Sequence, residues 1–185
     1  SFPEKTEPEL RRIQKEFFRN FGDFMVETLK AFTISSEELE KLVTYENLDF
    51  FEKAYLQKKN AIILTGHTFN WEFTTLFAQK VPQENFYAIY KKLQSEFWDK
   101  KIIESRGRFG FSLLESKEVM RHFITQENDG NSVYGFLSDQ SPSWGKSQFG
   151  VTFLNQKTPV LTGYNRIPRK DNFLYCFAEI VKIKR

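Results

Sequence analysis

The sequence has little of several features that mark particular classes of protein. Its 185 residues include a single cysteine, Cys176, so the fold forms without an internal disulfide. No hydrophobic run approaches the roughly 18–20 residues that a helix needs to cross a bilayer. The formal net charge is only +3, which is too small to indicate a nucleic-acid partner. These shortages exclude a disulfide scaffold and argue against a nucleic-acid-binding protein.

Aromatic side chains are abundant by contrast and make up 17% of the residues. Hydrophobic residues reach 40%, enough for one sizeable core, and the length favours a single domain over residues 1–185. Basic residues outnumber acidic ones in the stretch 157–185. Basic charge beside many aromatics suits an anionic lipid surface, although a solvated basic rim around an ordinary core explains the same composition.

Helical and strand patterns alternate along most of the chain. A capping box at Thr6–Glu9 opens an N-terminal helix that should run to about Phe32. The predicted strands are 61–65, 86–90, 111–114, 132–138, 149–154 and 173–183. Further helices are predicted at 36–42, 48–57, 71–79, 94–104 and 117–126, and from Thr158-Pro159 onwards. The alternation predicts an α/β fold with a mainly parallel central sheet flanked by helices and an N-terminal helical segment.

The main candidate site follows the first predicted strand, because ligands of open α/β sheets bind beyond the carboxyl ends of strands. His67 lies directly after Ala61–Thr65 and Gly66. Asn70 is suited to be an N-cap, which places Glu72 in the first turn of the next helix, where the helix dipole favours a carboxylate. Glu72 would then accept a hydrogen bond from one imidazole nitrogen of His67. The other nitrogen would act as a general base.

Other chemistry-bearing residues give weaker alternatives. Ser141 and Ser143 lie near another predicted strand end, so a serine–histidine–carboxylate triad is a hypothesis, but no nucleophile-elbow sequence occurs. Cys176 lies within a predicted strand without an adjacent base, which favours a buried role over a nucleophile. His122 lies in a charged helical stretch and is predicted to face solvent.

The same residues bear on cofactors. A histidine–acid pair offers two metal ligands, whereas a catalytic zinc usually takes three from the protein, so we predict no metal and no bound organic cofactor. In the absence of a well-supported protein nucleophile, the simplest role of the base is to activate a hydroxyl group on a substrate.

The segment Gly66-His67-Thr68-Phe69-Asn70-Trp71-Glu72 resembles the signature of the lipid A biosynthesis acyltransferases. These lauroyl and myristoyl transferases belong to the lysophospholipid acyltransferase superfamily, and their fuller pattern is Gly-His-aromatic-Gly-Asn-Trp-Glu. Further segments resemble the family in order and spacing over nearly the whole chain: Ser1–Lys5, Tyr90-Lys91 with Leu93, Arg106–Gly110, Phe136–Pro142, Phe153–Gln156, Thr158-Pro159 and Thr162-Gly163. The resemblance implies a glycerolipid-acyltransferase-like fold.

The resemblance also implies an activity. A fatty acyl chain would move from acyl carrier protein to a hydroxyl of a lipid A precursor at the cytoplasmic face of the inner membrane. His67 would be the base, and Glu72 would orient its imidazole. The family's essential arginine maps to Arg106 or Arg108, and its essential aspartate maps to Asp139.

Substrate contacts are implied for five residues: Arg106, Arg108, Asp139, Lys91 and Asn70. A guanidinium would bind a phosphate of the donor or acceptor in a bidentate contact. Alternatively, Asp139 and the arginine pair with each other and brace the site.

Two departures affect the signature itself. Position 68 is Thr where the family prefers an aromatic residue, and position 69 is Phe where it prefers Gly, which restricts the dihedrals of the turn. The family's membrane-spanning N-terminus and a C-terminal portion are expected to lie outside this sequence. Two other hypotheses stay open: an acyltransferase that acts on a glycerophospholipid or aminolipid, and a catalytically silent protein that binds membrane lipid.

Overall fold

The computed structural model describes residues 2–142, 149–160 and 173–183. The helices within these ranges are α1 Glu7–Ala31, α2 Ser36–Glu40, α3 Asp49–Leu56, the 3₁₀ helix Trp71–Gln79, α4 Glu96–Gly107 and α5 Val119–Thr125. The strands are β1 Asn60–Thr65, β2 Asn85–Tyr90, β3 Phe111–Glu115, β4 Ser132–Leu137, β5 Gly150–Phe153, β6 Gln156–Pro159 and β7 Phe173–Phe177.

The central sheet has five strands in the order β3-β2-β4-β1-β7, and every neighbouring pair is parallel. Helices follow β1, β2 and β3 and flank the sheet, while α1, α2 and α3 precede it. The predicted α/β class, with its parallel sheet and N-terminal helical segment, is therefore confirmed.

The two central strands, β1 and β4, are buried in their first three residues and less buried in their last three. Alternate side chains point to opposite faces, so that Ala61 and Val133 join one apolar cluster while Ile62 and Tyr134 join another. Both clusters exclude water from the sheet. Apolar cover on both faces explains why the strands of this sheet read as continuous hydrophobic runs.

The N-terminal helix begins as its sequence predicts. The carboxylate of Glu9 accepts hydrogen bonds from the backbone N–H and the hydroxyl of Thr6, each at 2.8 Å. This contact satisfies a donor that the first turn leaves without an intrahelical partner. Ala31 is the one buried residue of α1, so most of the helix is in contact with solvent.

Three predicted elements differ from the structure. Thr158-Pro159 lies in β6, which forms an antiparallel hairpin with β5, and any helix after residue 160 falls outside the described residues. The long strand expected to reach Ile183 ends at Phe177. The helix predicted at Trp71–Gln79 is a 3₁₀ helix. Within the described ranges, no helix combines the length and apolar character that crossing a bilayer requires.

Candidate active site

The candidate site lies where β1 and β4 end side by side. Thr65 and Leu137 are partners in the parallel ladder, so the segments that follow them leave the sheet together. The first segment carries His67 and the second carries Asp139. The topology therefore brings together two residues that are 72 positions apart in the sequence.

Asp139 makes two hydrogen bonds to His67. Its Oδ2 accepts from the backbone N–H of His67 at 2.8 Å, and its Oδ1 lies 2.6 Å from the imidazole Nδ1. Partial burial opposes ionisation of Asp139, but these hydrogen bonds from His67 outweigh it and lower the pKa of the carboxyl group. An ionised carboxylate only accepts hydrogen bonds, so Nδ1 carries the hydrogen of this contact, and in the neutral imidazole the lone pair lies on Nε2.

Gly66 is what lets the carboxylate approach this closely. A Cβ at this position would lie 3.1 Å from Oδ2 of Asp139, tighter than ordinary van der Waals contact. The glycine between β1 and His67 therefore serves the approach of Asp139 to the turn.

The second nitrogen of the imidazole faces a different environment. The Nε2 of His67 lies 3.4 Å from the amide nitrogen of Gln140, and the imidazole is about a quarter exposed. Trp71 packs against the same ring in a T-shaped contact, with ring centroids 4.7 Å apart. The imidazole is thus held at Nδ1 by Asp139 and on one side by Trp71, while Nε2 makes the longer contact to Gln140.

Asn70 caps the 3₁₀ helix, as its sequence position predicts. Its Oδ1 accepts from the backbone N–H of Glu72 at 3.0 Å, and its Nδ2 donates to Glu27 of α1 at 3.2 Å. Both ends of the amide are therefore engaged within the chain, and the residue is buried. A direct contact of Asn70 with substrate stays a prediction.

Glu72 does not contact the imidazole in the way the sequence suggested. Its carboxylate accepts two hydrogen bonds from Arg106, from Nε at 2.9 Å and from an Nη at 2.6 Å. The expected hydrogen bond between His67 and Glu72 is corrected to one between His67 and Asp139. The physical reason is that Arg106, in the last turn of α4, takes both carboxylate oxygens of Glu72.

The arginine–aspartate pairing considered as an alternative is corrected in the same way. Asp139 bonds to His67, and Arg106 forms its fork-like ion pair with Glu72. Both side chains of this ion pair are largely buried, with 17% of Arg106 and 11% of Glu72 exposed. A buried ion pair of this geometry fixes the 3₁₀ helix to α4.

Comparison with known protein families bears on what this arrangement does. The model of the bacterial lipid A biosynthesis acyltransferases matches residues 1–175, nearly the whole chain. The chain belongs to this family. Among curated proteins, no individual sequence matches the chain. The family supports acyltransferase as the class of enzyme and a lipid A-type molecule as the acceptor.

Two predicted substrate contacts of this acyltransferase remain, Arg108 and Lys91, and their surroundings differ. Arg108 donates to the carbonyl oxygens of Ala31 and Ile34 at 3.0 and 2.6 Å, so it braces the chain where α1 ends. Lys91 is exposed directly after β2, at the edge of the sheet that carries His67. Because β4 separates β2 from β1, the two strands lie about 10 Å apart.

The two alternative nucleophiles that the structure describes, Ser141 and Cys176, are not assembled with His67. The hydroxyl of Ser141 donates to the carbonyl of Pro159 at 2.8 Å, and Ser143 lies outside the described residues. Cys176 is half-buried in β7, and burial raises the pKa of its thiol to about 11, so little thiolate forms near neutral pH. The described residues contain no group of three or more side chains suited to hold a metal ion.

His122 corrects a further expectation, because it does not face solvent. Its Nε2 lies 3.2 Å from the hydroxyl of Tyr134, and its ring packs on Tyr87 with centroids 4.5 Å apart. Burial lowers the pKa of His122, which favours the neutral imidazole. Its contacts with the aromatic cluster on one face of the sheet explain why this histidine is structural.

Sequence reasoning gave no role to Gln140, Trp71 or Glu27. Gln140 and Trp71 both lie inside segments that resemble the family, so their positions were visible although their contacts were not. Glu27 carries no such signal, because nothing local shows that α1 packs against the turn after β1. Its contact with Asn70 is a product of the tertiary fold.

Proposed function

We propose that the chain transfers a fatty acyl group from acyl carrier protein to a hydroxyl of a lipid A precursor at the cytoplasmic face of the inner membrane. The hydrogen bond between His67 Nδ1 and Asp139 Oδ1, at 2.6 Å, carries this proposal. In the neutral imidazole this contact places the hydrogen on Nδ1, which leaves Nε2 to accept a proton. Family membership supports acyl transfer as the reaction that uses this base.

The reaction would proceed in two steps. The Nε2 of His67 takes the proton of the acceptor hydroxyl while the oxygen attacks the carbonyl carbon of the donor thioester, forming a C–O bond and a tetrahedral oxyanion. The C–S bond then breaks, the carbonyl re-forms, and the leaving thiolate takes the proton from the imidazolium. The products are an ester and the free thiol of the carrier protein, so no oxidant, reductant or metal enters the balance.

Asp139 and the ion pair of Glu72 with Arg106 have separate tasks in this proposal. Asp139 holds the imidazole in the Nδ1–H tautomer and stabilises the imidazolium that forms after proton transfer. The ion pair holds the start of the 3₁₀ helix, and with it the turn that carries His67. Lys91 is the exposed cation at the same edge of the sheet and is suited to meet a phosphate of the donor or acceptor.

The surface of α1 supports a lipid environment for the reaction. Six apolar side chains of this helix are between 49% and 69% exposed: Phe17, Phe18, Phe21, Met25, Val26 and Leu29. The same helix carries five basic residues, four of them in its first half: Arg11, Arg12, Lys15 and Arg19, with Lys30 in the last turn. Exposed apolar and basic side chains on one helix suit the interface of an anionic membrane.

The test is acyl transfer by the full chain and by His67→Ala, measured by mass spectrometry of the acceptor. Donors are acyl carrier protein loaded with chains of different length and the matching acyl-coenzyme A thioesters. Acceptors are a lipid A precursor, a glycerophospholipid and an aminolipid. We expect one acyl group to be added to the lipid A precursor, and we expect His67→Ala to lower the rate by about 10²–10⁴-fold.

The chain offers a matched control, because His122 is its other histidine and lies outside the candidate site. His122→Gln keeps a hydrogen-bonding side chain and should retain the rate per folded molecule. Transfer only to a glycerophospholipid or aminolipid would contradict the proposed acceptor. Lipid binding without transfer by either protein would instead identify the chain as a silent lipid-binding protein.

A further inference from the structure

The N-terminal helix α1 contacts the catalytic turn through one narrow stripe of side chains. Phe24, Glu27 and Ala31 follow one another at helical spacings of three and four residues, which places them on one face of the helix. Phe24 and Glu27 contact the segment that follows His67. The carbonyl oxygen of Ala31 accepts hydrogen bonds from Ser105 of α4 and from Arg108, the residue after α4. The rest of the helix surface is largely exposed. The stripe therefore joins an otherwise solvated helix to the site.

The first contact reaches the imidazole through an aromatic pair. The ring of Phe24 stacks on the indole of Trp71 with centroids 4.5 Å apart and planes inclined by 27°. Trp71 in turn meets the His67 ring at 4.7 Å, with planes inclined by 78°. Aromatic pairs of these geometries stabilise the packing beyond the area they bury. Phe24 thus limits the movement of the side chain that packs against the base.

The second contact fixes the orientation of an amide. The carboxylate of Glu27 only accepts hydrogen bonds, so it draws the Nδ2 of Asn70 toward α1 at 3.2 Å. This orientation turns the Oδ1 of Asn70 toward the backbone N–H of Glu72, where it caps the 3₁₀ helix at 3.0 Å. A flipped amide would lose both bonds at once. Glu27 therefore selects the capping rotamer of Asn70.

We propose that Glu27 and Phe24 are positioning residues of the acyl-transfer site and that α1 is a structural part of it. The inference rests on the proposed function for its catalytic meaning. Glu27 acts through Asn70, and Phe24 acts through Trp71. Together they hold the segment His67–Glu72. The first residue of this segment is the base, and the last is the carboxylate that binds Arg106. Misplacement of a catalytic group by about 1 Å costs about 100-fold in rate, so these contacts bear on kcat.

The sharpest test reverses the hydrogen bond between Glu27 and Asn70. Asn70→Asp alone sets two carboxylates against each other and should lower kcat by about 10- to 100-fold. Glu27→Gln alone keeps an acceptor oxygen and should stay within about threefold of wild type. In the double variant Glu27→Gln/Asn70→Asp, the amide donates and the carboxylate accepts, so the turn is held again. We expect the double variant to recover to within about fivefold of wild type.

A matched control exists away from the site. Asn131 makes a similar pair with Glu84, to whose carboxylate its Nδ2 donates at 3.1 Å while its Oδ1 accepts from the Glu84 backbone N–H at 2.9 Å. Asn131→Asp therefore creates the same repulsion before β4 without touching the catalytic turn. It should leave kcat per folded molecule unchanged. Folded fractions are taken from urea titrations of each variant.

Hydrogen–deuterium exchange of residues 66–77 gives a readout that needs no turnover. Exchange should accelerate in Asn70→Asp and return toward wild type in the double variant. The inference is overturned if the double variant recovers neither exchange nor kcat, or if Asn131→Asp lowers kcat as much as Asn70→Asp. A wild-type protein without acyl transfer would refute the proposed function alone, because the exchange pattern still tests the contact.

Discussion

The two ends of the strand pair β1–β4 are built from the same kind of contact and differ in what the contact does. At the amino ends, Asn60 joins the strands through a neutral amide that is 1% exposed. At the carboxyl ends, Asp139 joins them through an ionised carboxylate that is 43% exposed. In both places, one polar side chain bonds to the segment of the neighbouring strand. Burial and charge are what separate the two ends.

The amino-end network engages both the oxygen and the nitrogen of the Asn60 amide. Its Oδ1 accepts from the backbone N–H groups of Gly130 and Ser132 at 2.9 and 3.1 Å, and its Nδ2 donates to the carbonyl of Glu127 at 3.1 Å. A buried amide with partners at both ends specifies which strands pair and stabilises the pairing.

The carboxyl-end network differs because one of its contacts is long. Asp139 engages the backbone and Nδ1 of His67, but Nε2 lies at a long 3.4 Å from the Gln140 amide. A histidine whose second nitrogen makes a long contact beside a fixed charge is suited to chemistry rather than to stability. One strand pair therefore supports both tasks, with a buried amide held at one end and a loosely held basic nitrogen at the other.

The largest expected effect comes from Asp139→Asn at the carboxyl end. The neutral amide no longer fixes the Nδ1–H tautomer or stabilises the imidazolium, so kcat should fall by about 10³–10⁴-fold. The free energy of unfolding should change little in comparison. Rates of acyl transfer and urea midpoints measure the two quantities. Asp129→Asn, which alters a carboxylate before β4, is the matched control and should retain the rate.

The variant Glu72→Gln tests which of two carboxylates, Glu72 or Asp139, is the partner of the imidazole. If the sequence-based pairing of His67 with Glu72 were the operative one, Glu72→Gln would reproduce the loss and Asp139→Asn would be close to wild type. Such a reversal would contradict the assignment of Asp139 as the partner of the imidazole.

The next largest effect is expected at the amino end, where a substitution should lower stability and leave activity unchanged. Asn60→Ala leaves two backbone N–H groups and one carbonyl without their partner in a buried place, which should lower the free energy of unfolding by about 2–4 kcal/mol. The rate per folded molecule should stay unchanged, because the His67 end of β1 is not altered. Chemical denaturation and kinetics on the folded fraction measure this. A large loss of kcat with unchanged stability would break the distinction between the two ends.

Much of the fold followed from local sequence patterns. The apolar run at 61–65 and the capping pattern at Thr6 and Glu9 predicted β1 and α1 closely, since hydrophobic periodicity and caps are short-range properties. The position of His67 after a buried strand, and of Asn70 as a cap, followed in the same way. These features depend only on residues that are near one another in the chain.

The partner of the base did not follow, because it depends on strand order. The spacing from His67 to Glu72 is local and visible, whereas Asp139 reaches His67 only because β4 is the neighbour of β1. The hairpin of β5 and β6 shows the same limit. Thr158-Pro159 has the local pattern of a helix start, yet pairing with Gly150 and Val151 places it in a strand.

The smallest expected effect concerns two residues whose backbone is strained. One lies just before β1, and the other lies in the turn after it. Lys58 has φ of 53° and Phe69 has φ of 48°, in the left-handed region that favours glycine. Lys58→Gly and Phe69→Gly should each raise the free energy of unfolding by about 0.5–1 kcal/mol. Only Phe69→Gly should also lower kcat/KM, by less than about tenfold, because it frees the turn that holds His67 and removes an exposed aromatic side chain beside it. Equal kinetic effects of the two changes would show that the strain at Phe69 has no part in acyl transfer.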